Sequence, residues 1–84
     1  MEFTQKDELG LKRTYFVVTK FEHNNQEYLI YSDLIKNDTD EFRLLVGIVE
    51  NGIVNRVEKE IETAVIEKFK IVEKDYIKYI KEMI

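Results

Sequence analysis

Apolar residues recur at steps of three and four through the last third of the chain: Ile61, Val65, Phe69, Val72, Tyr76, Tyr79 and Met83. That spacing stacks side chains on one helix face and predicts an amphipathic helix from about Glu60 to Ile84. Neither Pro nor Gly interrupts the run from Ile53 onward. The pattern therefore allows one rod of about 25 residues, roughly 37 Å at 1.5 Å per residue, longer than a strand of ordinary length. Glu58, Glu60 and Glu62 at its start and Lys78 and Lys81 toward its end suit the two poles of a helix dipole.

Upstream the pattern is that of short strands. Thr14 to Phe21 is rich in β-branched and aromatic residues, as is Tyr28-Leu29-Ile30-Tyr31, and the polar stretch Glu22 to Gln26 between them reads as the loop of an antiparallel hairpin. Simple alternation places Tyr15, Val17 and Phe21 on one face of the first strand and Phe16 and Val18 on the other. Neither strand alternates cleanly, so the pattern leaves open which face is buried. Ile35 to Glu41 reads as a polar loop. Phe42 to Glu50 is a further strand, with Phe42, Leu44, Val46 and Ile48 on one face.

Asn51-Gly52 follows directly, the turn signal of a two-residue hairpin, because both central residues of a type I′ turn need φ > 0. Such a turn places Val49 opposite Val54, Ile48 opposite Asn55 and Val46 opposite Val57. It puts Val46, Ile48, Ile53 and Val57 on the side expected beneath the helix. At the N-terminus, Glu2-Phe3-Thr4-Gln5 is compatible with an edge strand or a frayed end. Asp7-Glu8-Leu9-Gly10 reads as a turn. The prediction is an α+β fold in one domain, 1–84: an antiparallel sheet of four to five strands with one long C-terminal amphipathic helix packed on one face.

A second apolar row flanks the helical stripe, formed by Ile66, Ile77, Ile80 and Ile84 beside Tyr76. Two readings stay open. Either a twisted sheet wraps the helix and buries both rows, or Ile66, Tyr76, Ile77, Ile80 and Ile84 form a surface for a protein partner or a second copy of the chain.

Composition narrows the chemistry. Cysteine is absent, which removes disulfides, thiolate nucleophiles and thiolate metal sites and fits a reducing compartment. The formal net charge of −4 argues against nucleic-acid binding. No basic-plus-apolar segment opens the sequence and no apolar run approaches the roughly 18–20 residues of a membrane span, so the expected location is the cytoplasm. His23 is the single histidine, placed in a polar turn, with no second ligand for a metal site and no partner for a triad. Gly10, Gly47 and Gly52 are too scattered to cradle a phosphate, and Gly47 within a strand suggests a bulge or close packing. Asp33, Asp38, Asp40 and Glu41 lack the spacing and turn glycine of a calcium loop. Tyr15, Phe16, Tyr28 and Tyr31 read as core or surface aromatics rather than a base-stacking platform. No cofactor and no enzymatic activity are expected.

The order of motifs resembles a known family. Phe3-Thr4-Gln5-Lys6-Asp7-Glu8-Leu9-Gly10, then Phe16-Val17-Val18-Thr19-Lys20-Phe21-Glu22 followed by Gln26-Glu27-Tyr28-Leu29-Ile30, is similar to the opening of the YrzB-like family of small acidic bacterial proteins of unknown function. The acidic loop, Asn-Gly turn and acid-flanked helix follow in the same order. This chain departs from the family in being less acidic and in its Lys- and Ile-rich C-terminal stretch. The resemblance implies a bacterial, cytoplasmic protein and no reaction. The leading functional expectation is a non-enzymatic protein–protein interaction module. The alternative is a small acidic inhibitor, phage- or host-encoded, that blocks a basic nucleic-acid site on an enzyme through Glu58, Glu60 and Glu62 or through Asp38, Asp40 and Glu41.

Overall fold

The structure, a computed structural model, describes residues 1–73. Five strands, β1 (Glu2–Lys6), β2 (Lys12–His23), β3 (Gln26–Ser32), β4 (Leu45–Glu50) and β5 (Ile53–Arg56), precede one helix, α1 (Lys59–Val72). The strands pair with their chain neighbours in the order β1-β2-β3-β4-β5, every pair antiparallel. The fold is α+β.

Each connection has a local cause. Asp7 closes the first turn: its Oδ1 accepts the backbone N–H groups of Leu9 and Leu11, both at 2.9 Å, while Gly10 takes φ 79°. Asn24 and Asn25 take φ 50° and 64°, so the expected five-residue loop is a two-residue turn. Asn tolerates left-handed backbone because its short polar side chain bonds locally. As a result β2 runs on through Glu22 and His23, and His23 pairs with Gln26. Asn51 and Gly52 form the predicted turn, with φ 51° and 77°. Val49 faces Val54 and Ile48 faces Asn55, in the register read from sequence.

The alternation in β2 breaks at Val18. Val17 faces Tyr31 and Thr19 faces Ile30, leaving Val18 as the extra residue of a bulge. Beyond it the faces exchange. Phe21, expected with Tyr15 and Val17, joins Phe16 and Val18 on the helix side. There Val18, Tyr28, Ile30 and Val46 pack against Val65 and Phe69, with Phe21 meeting Phe69 edge to face at 5.7 Å between centroids. Phe42, Leu44 and Ile48 line the same side, as their alternation predicts.

The other face carries a second, smaller apolar cluster: Leu29, Tyr31 and Leu45 pack with Phe3, Tyr15, Val17 and Val54. Central strand β3 is therefore buried on both sides from Tyr28 to Ser32, which is why neither of its faces reads as polar in sequence. The sheet curls around this second core until its outer strands meet. Val49 and Val54 form a non-hydrogen-bonded pair of the hairpin, so the peptide groups of Val54 point away from β4. Gln5 takes both: its Nε2 donates to the Val54 carbonyl at 2.8 Å and its Oε1 accepts the Val54 N–H at 2.9 Å. A side-chain amide thus stands in for a missing ladder rung and closes the barrel-like sheet. Gly47 permits the curl, since a Cβ there would lie 2.7 Å from Val54 Cγ1 and 3.2 Å from the Tyr31 ring.

The helix differs from expectation in length and rotation. Its regular turns end at Val72, because Glu73 has φ −102° and ψ 86°; the expected extension toward Ile84 lies outside the described residues. Its buried residues are Glu62, Val65 and Phe69, with Ile66 packed beside them, whereas Ile61 is 40% and Val72 60% exposed. The inward stripe is turned toward Glu62. Ile53, expected beneath the helix, is 52% exposed at the hairpin tip.

Gln5→Ala removes both seam hydrogen bonds and is expected to lower stability by about 1–2 kcal/mol in urea denaturation. An unchanged midpoint and slope contradicts the closure.

Candidate functional site: an arginine-rimmed aromatic cleft

The face opposite the helix holds an open cleft of about 660 Å³. Its floor is aromatic. Phe3 stacks on Tyr15 at 5.2 Å between centroids, and Tyr31 meets both edge-on at 5.6 Å and 5.5 Å. The strand registers assemble this trio: Phe3 faces Tyr15 across β1 and β2, and Val17, two residues along the same face, sits opposite Tyr31.

Arg13, Arg43 and Arg56 rim the cleft, and they are all the arginines of the sequence. Each arrives by a different route. Arg13 lies on β2 opposite Gln5, beside the seam. Arg43 is brought back to Asp33 by a small loop ladder in which the Arg43 N–H donates to the Ile35 carbonyl at 2.9 Å and Lys36 bridges Phe42. Arg56 is the last residue of β5, two positions beyond the Val54 seam.

Each guanidinium is held by one carboxylate. Arg13 Nε donates to Asp7 Oδ2 at 2.6 Å. Arg43 donates from Nε to Asp33 Oδ2 at 2.7 Å and also pairs with it through Nη2. Arg56 grips Glu62 side-on, Nε to Oε2 at 2.9 Å and Nη2 to Oε1 at 2.8 Å. The guanidinium-bearing side chains are 47–48% exposed, while those of Asp7, Asp33 and Glu62 are 16%, 6% and 10% exposed. The carboxylates are therefore anchors and the arginines the presented groups. These hydrogen bonds raise all three guanidinium pKa values above the ordinary arginine value, through Asp7, Asp33 and Glu62 respectively. The Arg13 bond, followed by the Leu11 N–H, holds the Asp7 carboxyl below its ordinary value.

Charge in the cleft is balanced. Lys6 and the three arginines face Asp7, Glu8 and Asp33 in its lining, with Glu62 behind Arg56 as a fourth carboxylate. Tyr31 is 4% exposed overall, and its burial pushes the phenol pKa up to about 12.

Tyr15, Tyr31 and Asp33, weighed in the sequence for other roles, line this cleft, whereas the described part of the candidate partner surface does not. Ile66 is half-buried against the helix-side core, so part of its surface is packing rather than a free contact. Tyr76, Ile77, Ile80 and Ile84 lie outside the described residues. Of the acidic sets, Glu62 is not a solvated carboxylate: it is buried, gripped by Arg56, and accepts the Val46 N–H at 3.0 Å. Asp40 pairs with Lys36 at 3.4 Å and Glu41 accepts the Thr39 hydroxyl at 3.1 Å, both within an exposed loop. Among the described residues no group of three or more His, Cys, Asp or Glu side chains converges to hold a metal ion, and no helix is long and apolar enough to cross a membrane.

The cleft has no compact sequence signature, because its residues are far apart in the chain. One signal was present: three arginines among 13 basic residues, the residue type used where a planar fork must meet carboxylates from two sides. No protein-family model matches the chain, and no curated protein or solved structure matches it.

The raised Tyr31 pKa means that the fold favours the neutral phenol. Its stabilisation is complete below the ordinary value of 10.0 and is lost as pH rises toward about 12. Tyrosinate absorbance should show a late-titrating component that Tyr31→Phe removes, and that variant should lose less stability than the parent between those pH values. Simultaneous titration of every tyrosine near the ordinary value contradicts this.

Proposed function

We propose that the protein is a non-enzymatic protein–protein interaction module of the bacterial cytoplasm, and that the cleft opposite the helix is its main contact surface. The observation that carries this reading is the set of three half-exposed guanidinium groups, each fixed by a buried or nearly buried carboxylate, around an aromatic floor. Tyrosine and arginine are the residue types that concentrate binding energy at interfaces, where rigid side chains lose little entropy on contact. The cleft volume of about 660 Å³ falls within the ordinary range for binding pockets.

A second contact region, through Tyr76, Ile77, Ile80 and Ile84 toward a partner or a second copy, rests on apolar spacing in the sequence. It is supported by Ile71 and Val72, which are 68% and 60% exposed at the described end of α1. Kinship with the YrzB-like family remains part of the reading and rests on the sequence stretches that resemble it.

The test is affinity capture from the native host followed by mass spectrometry. The three baits are the parent chain, an Arg13→Gln/Arg43→Gln variant and an Ile77→Lys/Ile80→Lys variant, each first shown to be folded by thermal melting. The expected result is a defined set of proteins retained by the parent and depleted with the arginine variant. Retention of the same set by the parent and the arginine variant, or of no specific protein by any bait, contradicts the proposal.

A further inference from the structure

Resting on the interaction-module reading, we propose that the cleft recognises a peptide carboxylate: an Asp or Glu side chain of an extended partner segment, with a neighbouring aromatic side chain laid on the half-buried rings of Phe3 and Tyr15, which buried Tyr31 backs. Each cleft guanidinium has donors left over. A guanidinium carries five N–H groups in a rigid fork. Arg13 uses Nε on Asp7, and Arg43 and Arg56 each use Nε and Nη2 on Asp33 and Glu62. The Nη1 end of each makes no hydrogen bond among the described residues. Because the opposite edge of every fork is already held, these ends are oriented before a ligand arrives, which lowers the entropy lost on binding.

Charge balance selects among anions. Lys6 and the three arginines are matched by Asp7, Glu8, Asp33 and Glu62, so the cleft offers directed donors without a net positive field. A polyanion such as nucleic acid gains most from net positive charge and counterion release, and here it meets three carboxylates in the same lining. A single carboxylate needs only the local donors, in the planar geometry that arginine matches. The aromatic floor adds an apolar contact within the same cleft, and offset or edge-on packing of a further ring suits the arrangement already present among Phe3, Tyr15 and Tyr31. The chemistry that fits is therefore a carboxylate next to an aromatic residue.

The experiment is an NMR titration of the full chain, following backbone amides and the arginine Nε–H resonances. The probes are the capped tripeptides acetyl-Phe-Asp-Phe-amide and acetyl-Phe-Asn-Phe-amide, with inorganic phosphate as a third arm. The Asp peptide is expected to shift Tyr15, Tyr31 and the three arginine side chains, and to bind about tenfold more tightly than the Asn peptide. Arg13→Lys/Arg43→Lys, which keeps the charge and removes the fork, should abolish most of that difference while the amide spectrum stays folded. Equal binding of the two peptides overturns carboxylate recognition and leaves the interaction-module reading standing. Phosphate binding as tight as the Asp peptide at the same resonances overturns the peptide source in favour of a general anion site. Absence of shifts with either peptide overturns the inference outright, and host capture then decides the interaction reading separately.

Discussion

A single buried carboxylate joins the parts of this molecule. In the β4–β5 hairpin, the register makes Val46 and Val57 the next hydrogen-bonded pair after Ile48 and Asn55. Only half of that pair forms: the Val57 N–H donates to the Val46 carbonyl at 3.0 Å. There the chain turns away into α1, and the N–H of fully buried Val46 needs another acceptor. Glu62 Oε2 supplies it at 3.0 Å from the first turn of the helix. The same carboxylate then needs a cation, and Arg56, the last residue of β5, reaches it through two N–H groups. Helix rotation, the end of the sheet and the aim of one cleft arginine are settled together. Removing one partner from such a buried group is costly, because an unmatched charge or an orphaned amide is left behind.

The sheet serves two cores with one set of strands. Its helix-side face packs against Val65 and Phe69, and its concave face packs against itself by curling. Curling brings β1 to β5, and the Gln5 amide completes the contact at Val54. The bulge at Val18 and the bare backbone of Gly47 make this curvature sterically feasible. Closure also creates the cleft: Arg13 sits opposite Gln5 on one side of the seam, and Arg56 follows Val54 on the other. The proposed contact surface and the fold are therefore coupled through the seam.

How much of this could be read from the residues follows from how local each cause is. The Asn51-Gly52 turn fixes its own geometry, so its hairpin register was legible. The alternation of Phe42, Leu44, Val46 and Ile48 marks one face without help from elsewhere. Asn24-Asn25 carries a weaker turn signal than Asn-Gly, and the polar residues around it masked the continuation of β2. The bulge at Val18 has no sequence mark, since Val17, Val18 and Thr19 all suit strands; it shows only once Tyr31 and Ile30 pair across it. Apolar spacing centres the helix stripe on Ile61, whereas the buried position belongs to Glu62. Periodicity cannot reveal that a carboxylate is drawn inward by an amide 16 residues upstream. The arginine cleft is the extreme case: its three arginines come from β2, a loop and β5, and meet only after the sheet closes.

The central claim is that Glu62 and Arg56 act as one coupled unit that fixes the helix to the sheet. A double-mutant cycle in urea denaturation, with Glu62→Gln, Arg56→Met and the pair combined, measures that coupling directly. The expected coupling energy is about 1.5–3 kcal/mol, with the double variant far less destabilised than the sum of the two single changes. Additivity within about 0.5 kcal/mol contradicts it.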